Sequence, residues 1–160
     1  MIRVCALALA VLFVSGTAGL AAPPDAAASH KVQDCIKTAA GAKGAAADPE
    51  RCIGLVSGPC LEDDKTKSTA DMNACIDREV AVWDDILNES FRRLREKLDE
   101  TQRVKLRDMQ RAWIASRARS CGFYWDFYQG TMASPMAAEC VNRETARRAL
   151  FLLGFLNDDK

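Results

Sequence analysis

Histidine and the cysteine motifs of metal sites are almost missing from this sequence. His30 is the only histidine among the 160 residues, and no two cysteines form a C-x-x-C pair. Zinc sites are built mainly from histidines and closely spaced cysteines, and histidine is also the most frequent general base in enzymes. The sequence therefore predicts no metal, no cofactor and no catalytic residues, and we expect a protein that is not an enzyme.

An excess of charge of either sign is also lacking. Lysine and arginine total 22, aspartate and glutamate also total 22, and the formal net charge at pH 7 is zero. A strongly basic chain would be drawn to nucleic acid or to anionic membranes over its whole surface. We therefore expect no nucleic-acid partner and, at most, peripheral contact with a membrane.

Only one long apolar run occurs, and it occupies the first 22 residues. Arg3 precedes an unbroken apolar stretch and then small residues, which is typical of a secretory signal peptide rather than of a membrane anchor. Gly19 and Ala21 suit the small positions before a cleavage site, so we assign residues 1–21 to the signal peptide. No lipid-attachment cysteine stands at that site, and the mature protein is expected in the periplasm or outside the cell. Residues 22–30, with two adjacent prolines, are expected to form a flexible leader.

Six cysteines remain after the signal peptide, an even number that indicates disulfides in an oxidising compartment. Cys121 and Cys140 flank the expected turn between the last two helices, which favours a Cys121–Cys140 bond. Cys60–Cys75 and Cys35–Cys52 complete the set that we favour. The main alternative is a Cys75–Cys121 bond, because both residues should lie near one level of the fold.

Apolar residues recur in steps of three and four, and no useful stretch alternates as a β-strand does, so the fold class is all-α. A long helix should begin after the cap Ser68 or Thr69 and end near Asp99. The next helix, capped by Thr101, follows at once, so the two should form an antiparallel hairpin. A third helix should pack on this hairpin. Before the hairpin, a disulfide-linked segment over residues 31–59 should contain short helices at Lys31–Ala40 and Pro49–Ser57, and a loop should follow over 57–69. The hairpin and the third helix should form a domain over residues 60–156, in which the second hairpin helix ends near residue 127 and the third helix runs from about 136 to 156.

Three polar residues lie on the apolar stripes of this hairpin. In a hairpin that turns near residue 100, Arg117 should lie level with Glu79, and we expect the two to meet as a buried ion pair. Gln110, on the same stripe as Trp113, should lie near Asn88. No nucleophile or histidine lies beside them, so a structural polar core is predicted here rather than an active site. Its members are Glu79, Asn88, Gln110, Trp113 and Arg117.

Several sequence motifs occur at fixed spacings along the helical region. They are a cysteine before a helix with an L-N-x-x-Y/F-x-x-L step, then Q-R-A-W-I/L-x-x-R-x-x-x-C, a Gly-Ser/Thr turn, and a cysteine followed by T-x-x-R. In this sequence these positions are Cys75, Leu87, Asn88, Phe91, Leu94, Gln110 to Cys121, Gly130, Thr131, Cys140, Thr145 and Arg148. Together they resemble the N-terminal domain family of the lysozyme inhibitor LprI.

The resemblance implies a small helical domain that is exported or lipid-anchored in bacteria, and a family named for inhibition of animal-type lysozyme. The usual four cysteines are supplemented here by two more in the region before Cys60. This resemblance supports an inference about the fold more directly than an inference about the activity. It implies a binding protein whose partner is lysozyme or another envelope protein.

Charge is unevenly distributed along the predicted hairpin. Residues 60–91 contain nine acidic and three basic side chains, whereas residues 92–119 contain ten basic and four acidic ones. Animal lysozymes are cationic, so an inhibitor should dock through the acidic open end, and the candidate partner surface is Asp63, Asp64, Asp71, Gly130 and Thr131. The alternative function is a structural or stress protein of the envelope, which contacts anionic lipid or peptidoglycan through the basic hairpin tip.

The aromatic run from Phe123 to Tyr128 is expected to belong mainly to the core.

Overall fold

The structure, a computed structural model, describes residues 25–158, and the predicted signal peptide lies outside them. The described part contains five α-helices, two short 3₁₀ helices and no strand, so the predicted all-α class is confirmed. The helices are α1 (Ala26–Ala40), α2 (Ser57–Leu61), α3 (Thr69–Lys97), α4 (Glu100–Tyr128) and α5 (Ala133–Asn157), and the 3₁₀ helices are Gly44–Ala47 and Pro49–Cys52. Within residues 25–158, no helix has both the length and the apolar character needed to cross a membrane.

The N-terminal helix starts earlier than the sequence suggested. Asp25 caps α1 by accepting a hydrogen bond from the Ala27 amide, so residues 26–30 are helical rather than part of a flexible leader. Ala28 in this stretch and Val32 in the next turn of α1 are buried in the main core, so the start of the helix packs against the rest of the protein. The expected loop after residue 57 is also partly wrong, because its first residues form α2.

Both long helices begin with a capping box. Ser68 and Asp71 exchange hydrogen bonds at the start of α3, as Asp99 and Gln102 do at the start of α4. The cap of α4 is therefore Asp99 rather than Thr101, and only two residues connect α3 to α4. This short connection turns the chain sharply, so α4 runs back antiparallel to α3 as predicted. The close packing of the two helices expected for a hairpin is wrong, because both pack on α5 and scarcely touch each other.

The last helix, α5, lies against both long helices. Asn73 of α3 donates to Ser134 near the start of α5, so these two helices run in the same direction. Cys121 near the end of α4 is bonded to Cys140 in the first half of α5, so α4 runs in the opposite direction. The two fully buried alanines of α5, Ala146 and Ala149, allow its backbone to approach α3 closely.

The main core lies between α1, α3 and α5. Its α3 part is centred on Val82, Trp83 and Leu87, and Leu152 of α5 packs in the same cluster. Helix α4 contributes Leu106 to this core near the turn and otherwise packs mainly on α5. Much of the α4 surface that would face α3 in a two-helix hairpin therefore remains exposed.

Candidate functional site

Three disulfides fix the positions of the helices. They join Cys35 to Cys52, Cys60 to Cys75 and Cys121 to Cys140, with Cα atoms 5.8, 5.6 and 5.4 Å apart. These are the three pairs favoured from the sequence, and the alternative Cys75–Cys121 bond is absent from the structure. The first bond holds α1 to the second 3₁₀ helix, the second holds α2 to α3, and the third holds α4 to α5.

The carboxylate of Glu79 is completely buried between α3, α5 and the segment before α2. Its Oε1 accepts hydrogen bonds from the Gly54 amide at 2.6 Å and from Trp83 Nε1 at 3.0 Å. Its Oε2 accepts from the amides of Val56 and Ser57, both at 2.8 Å. The Ser57 hydroxyl and the Asn142 amide, at 3.1 and 3.3 Å, complete a set of six hydrogen bonds.

These hydrogen bonds keep Glu79 charged despite its burial. Removal from water raises the pKa of the carboxyl group, but the amides of Ser57, Gly54 and Val56 and the Trp83 indole outweigh that effect, so the pKa lies below its ordinary value. Gly54 has a φ of 89°, in the left-handed region that favours glycine, and this turn directs its amide at the carboxylate. Glu79 thereby anchors residues 54–57 to the long helices.

The expected ion pair between Glu79 and Arg117 is wrong. Arg117 is half-buried on the α4–α5 interface, where its Nη1 donates to Thr145 Oγ1 at 2.6 Å. Its guanidinium also stacks over the Trp113 ring, 4.6 Å from the ring centre. The physical reason is that α5 lies against the stripe of α4 that carries Arg117, so this side chain meets α5 and not α3.

The expected partners of Gln110 are also wrong. Its Oε1 accepts from Arg148 Nε at 2.8 Å, whereas Asn88 is exposed and donates to Asp84 on its own helix. Arg148 is only 8% exposed, and burial lowers the pKa of its guanidinium. The Arg148 guanidinium lies 5.6 Å from the centre of the Trp113 ring, so the indole is in contact with two arginines.

These contacts explain the spacing of the two arginine-containing motifs. The Q-R-A-W segment supplies Gln110 and Trp113, with Arg117 one turn further on, and the T-x-x-R segment of α5 supplies Thr145 and Arg148. Each side chain from one motif contacts a side chain from the other. The motifs therefore form the α4–α5 interface.

The predicted partner surface lies at the end of the molecule opposite the α3–α4 turn. The 2.6 Å hydrogen bond between Asn73 and Ser134 places the start of α3 beside the start of α5, and the Cys60–Cys75 bond holds the loop after α2 nearby. We call this region the open end. All members of the predicted surface are exposed there, namely Asp63, Asp64, Asp71, Gly130 and Thr131.

Aromatic residues at the end of α4 also lie at the open end, on the surface of the protein and not in its core. The side chains of Phe123, Trp125 and Phe127 are 60%, 54% and 67% exposed, so the expectation of a core position is wrong. They surround the last turns of α4 because only one side of this helix packs on α5. We call Phe123, Trp125, Phe127 and Tyr128 the aromatic end of α4.

A groove between α3 and α4 opens toward the aromatic end of α4. Its volume is about 470 Å³, and its walls include Asp77 of α3, Ile114 and Trp125 of α4, and Val141 of α5. In the described part of the chain, no group of three or more histidine, cysteine, aspartate or glutamate side chains is arranged to hold a metal ion. The groove thus combines apolar surface with the charged side chains of Asp77 and Arg117.

Comparison with known protein families gives a match over most of the helical region. A family model described as "Lysozyme inhibitor LprI" matches residues 60–152, which is more than half of the chain. No curated protein and no solved structure matches. The match begins at Cys60, so it includes Glu79 and both arginine-containing motifs but leaves out α1 and the segment that Glu79 anchors.

Proposed function

The chain belongs to the lysozyme inhibitor LprI family, and from this membership we propose that it is an exported binding protein that inhibits animal-type lysozyme through its open end. Membership of an inhibitor family favours a non-catalytic role. The polar side chains on the helical stripes also favour this role, because Glu79, Gln110 and Arg117 are occupied by contacts within the fold.

Export is supported by the disulfides and by the N-terminal sequence. Three bonds connect six cysteines in the described part of the chain, and such bonds persist mainly in the periplasm or outside the cell. The apolar run of residues 1–21 is the expected signal peptide. We therefore place the mature protein in the periplasm or outside the cell.

The single observation that carries the choice of surface is the exposure of the aromatic end of α4 next to acidic residues. Exposed aromatic side chains are the residues that most often dominate binding energy in protein interfaces. Asp63 and Asp64 stand at the same end of the molecule, and a negative surface attracts a cationic partner and accelerates association. Basic side chains such as Lys65 also occur at the open end, so the attraction of a cationic partner comes from the individual acidic residues and not from the charge of the whole end.

A lysozyme turnover assay with the purified, oxidised protein tests this proposal. We expect inhibition at about micromolar protein or below, with weaker inhibition at high salt because exposed charges are screened. The variant Asp63→Asn/Asp64→Asn should inhibit more weakly, whereas Asp84→Asn/Asp85→Asn, which removes the same charge midway along α3, should inhibit like the parent. A folded parent protein that leaves lysozyme activity unchanged at large molar excess would contradict the proposal.

A further inference from the structure

A shallow depression of about 260 Å³ lies beside the α3–α4 turn, at the end of the molecule opposite the open end. Three arginines line it, Arg95 from α3 and Arg103 and Arg107 from α4, together with one carboxylate, Glu100. A second depression of about 220 Å³ shares Arg95 and Arg103. We call Arg95, Arg103 and Arg107 the arginine tip.

The positive charge of the arginine tip is only partly neutralised within the protein. Arg107 contacts its neighbour Asp108 at 2.9 Å, and Arg103 lies 3.7 Å from Glu100, but all four side chains are exposed. Exposed pairs of this kind are weak, so their partners can be exchanged at little cost. The Arg95 side chain forms no ion pair or hydrogen bond with any residue from 25 to 158.

The arginines are held close together by the turn itself. Arg103 Nε donates to the Arg95 carbonyl at 2.9 Å, which fixes one guanidinium beside the last turn of α3. The half-buried ring of Phe91 and the exposed side chain of Val104 provide apolar surface in the same depression. The site therefore combines several guanidinium groups with an apolar wall.

This combination points to a phosphate group attached to an apolar body. Guanidinium groups bind phosphate oxygens through paired hydrogen bonds, and arginine is favoured over lysine for this contact. We propose that the arginine tip binds the phosphate groups of an anionic lipid surface. The lysines that flank it, Lys97 and Lys105, are exposed and extend the positive surface on either side of the turn.

Binding at this tip leaves the open end free. Because α3, α4 and α5 all run between the two ends, a molecule held at a lipid surface by the arginine tip presents its acidic and aromatic residues away from that surface. The inference is independent of the proposed inhibition of lysozyme, since the two surfaces share no residue. One can fail without the other.

Co-sedimentation of the oxidised, full mature protein with lipid vesicles tests the inference. We expect binding to vesicles that contain phosphatidylglycerol, no binding to vesicles of phosphatidylcholine alone, and weaker binding at physiological than at low ionic strength. Inorganic phosphate at the same total phosphate concentration should not displace the protein. Full displacement would overturn the lipid assignment and indicate a site for free phosphate.

Charge-matched variants separate the arginine tip from a general effect of charge. Arg95→Gln/Arg107→Gln should lower the affinity for phosphatidylglycerol vesicles about thirtyfold, since each basic side chain near an anionic surface contributes about fivefold. Lys65→Gln/Lys67→Gln, which removes the same charge at the open end, should stay within about twofold of the parent. Arg103 is left in place because it also bonds the Arg95 carbonyl.

Circular dichroism checks the fold of each variant before binding is measured. If the double variant does not fold, the single variant Arg95→Gln replaces it, with an expected fall of about fivefold. Equal losses in the arginine and lysine variants would overturn the proposal. So would a parent protein that does not sediment with phosphatidylglycerol vesicles at low ionic strength.

Discussion

Glu79 shows at the residue scale how a buried charge is stabilised without an opposite charge. Six donors surround its carboxylate, and three of them are backbone amides of residues 54–57. An ionised group that leaves water must recover its hydrogen bonds inside the protein, and here neutral donors supply them in place of a guanidinium. The α3 side chain thereby fixes a segment that has no regular hydrogen-bonding pattern of its own.

Glu79→Gln tests this role. The amide group would replace one acceptor oxygen with a donor and leave at least one of the surrounding amides without a partner. We expect a loss of about 3 kcal/mol in the free energy of unfolding, measured by urea denaturation at pH 7. The exposed substitution Glu62→Gln is the control and should change stability by less than about 0.5 kcal/mol.

The same contacts predict how the stability changes with pH. Because the pKa of Glu79 is below its ordinary value in the folded protein, its contribution is present above the unfolded-state pKa, near 4.5, and is lost as the pH falls through the folded-state value. The parent should therefore lose more stability on acidification than Glu79→Gln. Parallel slopes for the two proteins below pH 5 would contradict this account of Glu79.

The pKa of Glu139 on α5 is shifted in the opposite direction from that of Glu79. Burial and the nearby charge of Glu79 raise its pKa, although Arg143 lowers it, and its Oε2 is buried with no hydrogen-bond partner among residues 25–158. A raised pKa means that the ionised form destabilises the fold above the unfolded-state pKa. Glu139→Gln should therefore melt at a higher temperature than the parent at pH 7, and the difference should vanish near pH 4. Thermal unfolding followed by circular dichroism at the two pH values measures this, and a variant less stable at pH 7 would contradict it.

At the scale of the elements, Trp113 is central to the contact between α4 and α5. Its ring lies 4.6 Å from the Arg117 guanidinium and 5.6 Å from that of Arg148. Trp113→Ala removes both contacts and the surface they cover, so we expect a loss of about 2 kcal/mol. Hydrogen exchange should speed up in α4 more than in α3, because the Cys121–Cys140 bond holds only the far end of α4. Ile114→Ala, which changes a neighbouring side chain in the open groove, should leave exchange in α4 nearly unchanged.

The long helices could be predicted from the sequence because each carries its own signals. Ser68 and the spacing of Met72, Ile76, Glu79 and Trp83 define the start and the buried side of α3, and the structure agrees. The partner of α4 could not be predicted, because the hairpin rule assumes that consecutive helices face each other. Ala146 and Ala149 give α5 a flat surface, and α5 packs against α3 at the place expected for α4.

The contacts of the polar residues were missed for the same reason. The spacing showed that Gln110 and Arg117 share a side of α4, but the identity of the facing helix decides their partners. The T-x-x-R step singled out Thr145 and Arg148, which lie one helical turn apart on α5, but it did not show which residues of α4 they would meet. The donors of Glu79 in residues 54–57 carried no periodic signal, because their positions depend on a glycine turn.

At the scale of the whole molecule, the two ends differ in chemistry. The turn end carries the arginine tip, and the open end carries acidic residues and the aromatic end of α4. The three disulfides and the anchored segment before α2 join the helices between these ends. The two surfaces share no residue, so a partner bound at one end need not disturb the other.

The aromatic end of α4 gives the clearest test of how the whole molecule binds lysozyme. Trp125 and Phe127 are more than half exposed, and truncating aromatic residues at the centre of an interface commonly costs about 2 kcal/mol or more of binding. Trp125→Ala/Phe127→Ala should therefore raise the inhibition constant more than tenfold, because 1.4 kcal/mol corresponds to a factor of ten. Phe151→Ala/Phe155→Ala is the matched control, since these α5 rings are 47% and 48% exposed and are in edge-to-face contact toward the other end. If the two double variants lose inhibition equally, the partner is not bound at the open end, and if neither loses it, exposed aromatic residues do not form the interface.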